Sequence, residues 1–326
     1  MRLTLLGTGD ARQVPVYGCD CPACRNARAD AGLRRRPCSA LLECAGQRWL
    51  IDSGLVDLCE RFPPHSLDGI LQTHYHADHA QGLLHLRWGQ GLVIPVHGPA
   101  DPEGLADLYK HPGILDFSQP FGAFERRQWG ALAATALPLV HSKPTFGYLL
   151  EGASEEGTIR RLAYLTDTVG LPADSASRLL AAPLDLLVLD CSMPPQEQPP
   201  RNHNDLTRAL ECIDSLRPRR AVLTHVGHTL DAWLLDHPAA LPEGGGTGTR
   251  RHVPAAVAPG KALWAKSVQA WIEADSPTYH QCKQQPCAGN AQQTPGAPGE
   301  EGGLGRQAQR QDRAGDHYEQ KNDGGS

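Results

Sequence analysis

Short apolar runs recur along the chain, and each is closed by glycine or by a polar residue. Arg2-Leu3-Thr4-Leu5-Leu6 alternates like a half-buried strand and breaks at Gly7-Thr8-Gly9. That Gly-x-Gly is too short for a dinucleotide fingerprint and reads as a tight turn. Residues 41–44 and 48–51 flank Ala45-Gly46-Gln47 as a hairpin. Further strands are predicted at 68–72, 93–96, 132–139, 146–150, 161–165 and 221–224. Leu184-Asp185-Leu186-Leu187-Val188-Leu189 is nearly continuous in apolar residues, as a strand covered on both faces must be. Residues 80–88 and 205–216 carry helical spacing, with Leu83, Leu84 and Leu86 inward in the first and Leu206, Leu210 and Ile213 on one side of the second. Strands alternating with helices, with polar residues repeatedly at strand ends, predict a layered α/β protein whose site lies along one sheet edge.

The residues that close these runs are chemically unusual. Thr73-His74-Tyr75-His76-Ala77-Asp78-His79 packs three imidazoles and a carboxylate into six positions after a buried strand. His74 and His76, two apart, can aim at one cation, while Asp78 and His79 begin the next turn and can aim at a second. Such side chains offer little to a core and much to a metal. His141 ends the strand before Ser142-Lys143-Pro144-Thr145, Asp167 follows the strand ending at Leu165, and His225 and His228 follow the last strand. Asp52 closes the hairpin: the resemblance of the histidine cluster to the metallo-β-lactamase superfamily implies that it supports the metal-binding loop from behind, and a plain turn former is the other reading. His97 is read as a loop residue, and His111 is not assigned by spacing. Near the N-terminus, Cys19-Asp20-Cys21-Pro22-Ala23-Cys24 sets three thiols in six residues, a spacing suited to tetrahedral zinc with a fourth ligand from elsewhere.

Composition narrows the picture further. A chain of 326 residues with 40% hydrophobic content can bury a large core as one or two domains. Its net charge of −5 gives no reason to expect a nucleic-acid partner. No stretch approaches the roughly 20 apolar residues that span a bilayer, and the N-terminus enters a strand with no apolar leader. A cytoplasmic location is therefore expected, with the ten cysteines poor disulfide candidates. Arg25, Arg28, Arg34, Arg35 and Arg36 are read mostly as a solvated face. From about residue 243 onward, Gly-, Gln- and Pro-rich sequence cannot bury a core and is expected to be disordered, leaving 1–242 as the folded domain. Trp264, Val268, Trp271 and Ile272 keep helical spacing within that tail.

The His-x-His-x-Asp-His cluster resembles the defining motif of the metallo-β-lactamase superfamily. Cys19-x-Cys21-x-x-Cys24, Thr73 to His79, His141-Ser142-Lys143, Thr166-Asp167-Thr168, Arg201-Asn202-His203 and His225-x-x-His228 occur in order. Together they resemble the phosphoribosyl 1,2-cyclic phosphate phosphodiesterases of the carbon–phosphorus lyase pathway, the PhnP family, over about residues 1–242. The resemblance implies the metallo-β-lactamase fold, an αββα sandwich of two mixed β-sheets flanked by helices. It implies two divalent ions (Mn2+ or Zn2+): His74, His76, His141 and Asp167 on one, and Asp78, His79, Asp167 and His225 on the other, with Asp167 shared. Cys19, Cys21, Cys24 and His228 would hold a structural Zn2+. His203, on a polar loop and unclaimed by metal, is the candidate general acid, and Asp78 is counted with it among the catalytic residues. The implied substrate is a cyclic ribose phosphate, with Lys143 and an arginine from 34–36 as candidates for its second phosphate. A homodimer, a different phosphodiesterase on this fold (2′,3′-cyclic nucleotide or tRNA 3′-end) and a non-catalytic metal-binding protein stay open. Family members end with a short strand containing Asp-Gly-Met, which this chain lacks. One codon choice for Arg250-Arg251-His252-Val253, read one base later, spells it, so the hypothesis is a frameshift near residue 244, which resequencing the locus would test.

Overall fold

Period-two alternation builds both sheets. In β2 (Ser39–Cys44), Ala40, Leu42 and Cys44 face one way and Leu41 the other; in β10 (Ile159–Leu165), Leu162 and Tyr164 oppose Ala163 and Leu165. The computed structural model describes residues 1–153, 157–198, 200–241 and 269–270. All of these belong to the unit Met1–Asp275, while Ser276–Ser326 lies outside the described residues. The first sheet joins β1 (Arg2–Gly7), β2 and β3 (Gln47–Ile51) antiparallel, then β4 (Gly69–Leu71), β5 (Ile94–His97) and β6 (Leu115–Asp116) in parallel. The second runs β7 (Arg126–Trp129), β8 (Leu132–Pro138), β9 (Phe146–Ala153) and β10 antiparallel, then β11 (Leu186–Asp190) and β12 (Arg220–Thr224) in parallel. A two-residue strand, β13 (Gln269–Ala270), pairs with the outer edge of β1.

Three apolar layers hold this arrangement. Leu3, Leu42, Trp49 and Ile51 of the first sheet meet Tyr148, Leu150, Tyr164 and Val188 of the second. Each such buried side chain contributes about 1.5–3 kcal/mol relative to exposure. The outer face of the second sheet is covered by α6 (Ala173–Leu180), α7 (Leu206–Leu216) and α8 (His228–Asp236). The short helices α2 (Leu58–Arg61), α3 (Ala77–Ala80), α4 (Leu83–Leu86) and α5 (Ala106–Lys110) cover the first. The architecture is the expected αββα sandwich. Every residue of β11 is buried, as its apolar run predicts.

Several local expectations are corrected. The helix expected over 80–88 is two short pieces. Gly82 donates its amide to Ser53 O at 2.8 Å, and a Cβ there would lie 2.1 Å from Leu55 O, so the turn is pulled against the loop after β3. His97 is the buried last residue of β5 rather than a loop residue, and its Nδ1 lies 3.1 Å from Gln119 O. Arg35 leaves the solvated face: it is buried and pairs with Asp231 at 2.7 Å. Neither α8 nor α1 (Pro22–Ala29) is foreseen, and they pack together through Ala23, Cys24 and Ala27 against Ala232 and Leu235. The tail from 243, with its apolar patch at 264–272, lies outside the described residues except for the backbone of β13.

Candidate metal centre

Three strands of this fold end in the same unusual way. Asp52 after β3, Asp167 after β10 and His225 after β12 all have φ of 58°, the left-handed region that non-glycine residues rarely occupy. Each turn swings a polar side chain back over the end of its sheet, which is a local cost that clusters at functional sites. The loop after β4 completes the set, with His76 preceding α3, and Asp78 and His79 within its single turn.

The ring nitrogens converge in a way that hydrogen bonds alone do not satisfy. His76 Nδ1 lies 2.9 Å from His74 Nε2 and 3.1 Å from His141 Nε2. Yet His74 Nδ1–H donates to Thr73 Oγ1 at 3.1 Å, and His141 Nδ1–H donates to Asn202 O at 3.1 Å. Both Nε2 atoms are then lone pairs, and His76 can supply one hydrogen between them. Asp167 Oδ1 stands 3.8 Å from His74 Nε2 and 3.6 Å from His141 Nε2. Four ligands about 2.0–2.1 Å from one cation stand roughly 3.3 Å apart, the spacing approached here. A second group surrounds His79. Its Nδ1–H donates to Asp52 Oδ2 at 2.8 Å, and its buried Nε2 lies 3.0 Å from Asp167 Oδ2 without the alignment of a hydrogen bond. Asp78 Oδ2 is 3.4 Å from both His79 Nε2 and His225 Nε2, and His225 Nε2 is 3.5 Å from Asp167 Oδ1. These atoms aim at shared points rather than at each other.

The electrostatics of the two groups match that geometry. Burial and the neighbouring His79 charge push the His74 imidazolium well below its ordinary pKa. Burial opposes charge on His79 too, but the Asp167 and Asp52 carboxylates outweigh it and raise its pKa well above the usual value. The same contest pushes His225 up to about 9, with Asp167 the main carboxylate acting on it. Asp167 and Asp78 are held well below the usual carboxylate range, because the surrounding imidazoles outweigh their burial. The carboxylates of the second group therefore call for cationic charge, His74 in the first is held neutral as a metal ligand must be, and both donor sets fit divalent ions.

Asp52 sits directly beneath. It is fully buried, accepts from Thr73 N at 2.8 Å and Thr73 Oγ1 at 2.9 Å, and holds His79. Gln72, buried beside it, donates to His74 O and His79 O and fixes the loop from below. His203 comes to the opposite rim: its ring stacks on His225 at 4.6 Å and 13°, and its side chain is 25% exposed. Its Nδ1 lies 3.0 Å from Asp190 Oδ2 and 3.8 Å from Asp167 Oδ1. The candidate phosphate cations are each engaged: Lys143 pairs with Asp101 at 3.1 Å and Arg36 with Asp57 at 2.6 Å.

The thiols form a separate group. Cys19 Sγ and Cys21 Sγ lie 3.3 and 3.6 Å from His228 Nδ1, and Cys24 belongs to the same set, all ligand atoms within 4.8 Å of one another. The first residue of α8 thus stands where the triplet would need a fourth ligand. Cys24 Sγ accepts from Val16 N at 3.3 Å, and burial pushes its thiol up to about 11. All eight described cysteines are free. Sequence reasoning passes over Asp190, Ser192 and Gln72. The one signal for Asp190 is that it ends a buried apolar strand, as site residues follow other strands here.

Residues 48–226 match the sequence model of the beta-lactamase superfamily domain. The chain belongs to the beta-lactamase superfamily. Among relatives within reach, an octanoyltransferase of Porphyromonas gingivalis is 28% identical over 246 residues, 70% of this chain and 46% of that protein. The chain spans less than half the length of this and a second curated relative, a coenzyme PQQ synthesis protein B of Rhodopseudomonas palustris. The crystal structure of a diphosphatase from the PhnP family is 26% identical with a TM-score of 0.61, covering 78% of this chain and 94% of that one. Zn(2+)-bound PqqB from Methylobacterium extorquens shares the superfamily fold at 19% identity and a TM-score of 0.58, over 74% and 95% of the two chains. No helix among the described residues is long and apolar enough to cross a membrane.

Proposed function

We propose that this superfamily member is a metal-dependent phosphodiesterase that opens 5-phospho-α-D-ribosyl 1,2-cyclic phosphate to ribose 1,5-bisphosphate in phosphonate catabolism. The observation that carries the reading is the convergence of ligand groups on Asp167 with a half-buried His203 at their rim, whose Nδ1 is turned to Asp190. His74, His76, His141 and Asp167 would hold one divalent ion, and Asp78, His79, Asp167 and His225 the other. When bound, such a pair supplies Lewis acidity toward phosphoryl oxygens and acidifies water toward neutrality. Asp52, Thr73 and Asn202 fix the imidazoles so that their free nitrogens face inward. His203 has one ring nitrogen turned to Asp190, which leaves Nε2 to give a proton to the departing sugar oxygen. Cys19, Cys21, Cys24 and His228 would hold a structural zinc, tying the N-terminal loop to α8. The likeness to a PhnP-family diphosphatase supports phosphoryl-transfer chemistry at this site.

The test is an assay of the purified, manganese- or zinc-loaded chain against three substrates: the ribosyl cyclic phosphate, a 2′,3′-cyclic nucleotide and a precursor tRNA. Preferential ring opening of the ribosyl cyclic phosphate, followed by phosphorus NMR, is expected. Preference for either other substrate reassigns the specificity, and no turnover of any with full metal content makes the chain a non-catalytic binder.

A further inference from the structure

We propose that Asp190 is the positioning residue for His203, fixing the tautomer and aim of the ring that serves the leaving group. The inference rests on the reading of His203 as proton donor. Asp190 is the last residue of β11, wholly buried between β10 and β12. Its Oδ2 accepts from Thr168 N at 3.0 Å and faces His203 Nδ1 at 3.0 Å, while Oδ1 accepts from Ser192 Oγ at 3.0 Å. Among the described residues, its ion-pair partners are two imidazoles, His203 and, at 3.8 Å, His225.

A buried carboxylate costs several kcal/mol unless it is paired and hydrogen-bonded. An asparagine would serve Thr168 N and Ser192 equally well, so holding the loops does not explain the charge. The oxygen that serves Thr168 N also faces His203 Nδ1, so what a carboxylate adds is full negative charge on that acceptor, which strengthens its hold on the ring's Nδ1–H. Facing it, His203 must carry hydrogen on Nδ1, and Nε2 is left on the opposite edge of the ring.

The backbone fixes the rest of the aim. Asn204, next in sequence, donates from Nδ2 to Asp190 O at 3.2 Å and accepts from Gly170 N at 2.7 Å. Ser192 N donates to Asn204 O at 2.9 Å. The His203 loop is thereby clamped to the ends of β10 and β11, and the ring lies flat on His225.

In the reaction, the bond from phosphorus to the sugar oxygen breaks as the bond from phosphorus to the water oxygen forms. The departing oxygen takes the Nε2 proton of the His203 imidazolium, leaving the neutral ring with its hydrogen on Nδ1 toward Asp190, and the proton lost by the attacking water returns the ring to imidazolium, so one water is consumed. A sugar alkoxide needs that proton, whereas 4-nitrophenolate leaves without it. Asp190→Ala is therefore expected to lower kcat on the ribosyl cyclic phosphate by roughly 10²-fold, the lower end for general acid catalysis, and on bis(4-nitrophenyl) phosphate by less than about 5-fold. In a double-mutant cycle, Asp190→Ala should add less than about 3-fold to His203→Ala, because the two residues act as one unit. Asp190→Asn, which matches the native size, should show the same selectivity at smaller amplitude, so the test survives if the alanine variant folds poorly. Long-range proton–nitrogen NMR of His203, at a pH where the ring is neutral, should report the Nδ1–H form left by Nε2 proton donation in the native chain, and a mixture of tautomers in Asp190→Ala. If both Asp190 variants lose equally on both substrates, or their losses multiply with His203→Ala, Asp190 is structural and the inference fails. If His203→Ala itself loses equally on both substrates, the proton-donor reading falls first.

Discussion

His225 and His228 stand three residues apart and belong to two differently built groups. His225 lies in the left-handed region at a strand end, with its Nδ1 2.9 Å from Ser192 Oγ, among fully buried carboxylates. His228 opens a helix, and neither it nor the three thiols lies in the left-handed region. In the first group Thr73, Asp52 and Ser192 are buried polar partners beneath His74, His79 and His225; the second has a backbone amide and the packing of two helices. On the function proposed above, the difference separates a site shaped for chemistry, where strain and buried partners aim the rings, from one shaped to close a loop. In the first, removing a ligand should remove turnover. In the second, it should remove stability and spare turnover.

Asp167→Ala should have the largest effect, because this side chain belongs to both groups. Two cations contribute several kcal/mol to transition-state stabilisation, so turnover should drop by about 10⁴-fold or more at 1.36 kcal/mol per tenfold. Bound metal, measured by plasma emission, should fall together with activity. Unchanged metal content would mean that Asp167 ligates neither ion.

His203→Ala comes next and sharpens the division within the first group. Turnover should slow by roughly 10²–10⁴-fold, the range for general acid–base catalysis, with metal content and melting temperature unchanged. An unaltered rate would remove His203 from the mechanism. Asp52→Ala lies one shell further out. It frees His79 Nδ1 and the Thr73 amide, so metal affinity should weaken by about 10–100-fold, and excess metal should restore much of the rate. A loss that excess metal does not relieve would make Asp52 a matter of folding.

The contrast was partly legible in the residues themselves. His74 to His79, His141, Asp167 and His225 stand out because imidazoles and carboxylates at the ends of apolar runs have few other uses. The sandwich followed from period-two alternation and from the uninterrupted run of β11. Asp190 and Ser192 were illegible, because an acid ending a strand looks like a turn former until a distant ring is seen against it. Arg35 misled for the same reason: one arginine in a basic run gives no sign that Asp231, on α8, will bury it. The expected 80–88 helix failed at Gly82, whose amide is captured by Ser53, a contact made by tertiary packing.

Cys24→Ser should have the smallest effect on turnover, and it bears most directly on the comparison. Loss of a structural zinc removes several kcal/mol of folding free energy. At roughly 2–4 °C per kcal/mol for a domain of this size, the melting temperature should drop by about 10 °C, while kcat at 25 °C changes less than about 3-fold. The sign of the pH dependence follows from the thiols. Burial holds Cys24 up at about 11 without metal, so zinc must displace a proton to bind. Zinc binding, and the stability it brings, should therefore grow as pH rises and shrink as it falls. Melting curves with and without a chelator should converge on acidification. If Cys24→Ser instead abolishes turnover at unchanged melting temperature, the turn from His225 to His228 transmits the zinc site into the catalytic group, and the two are one device.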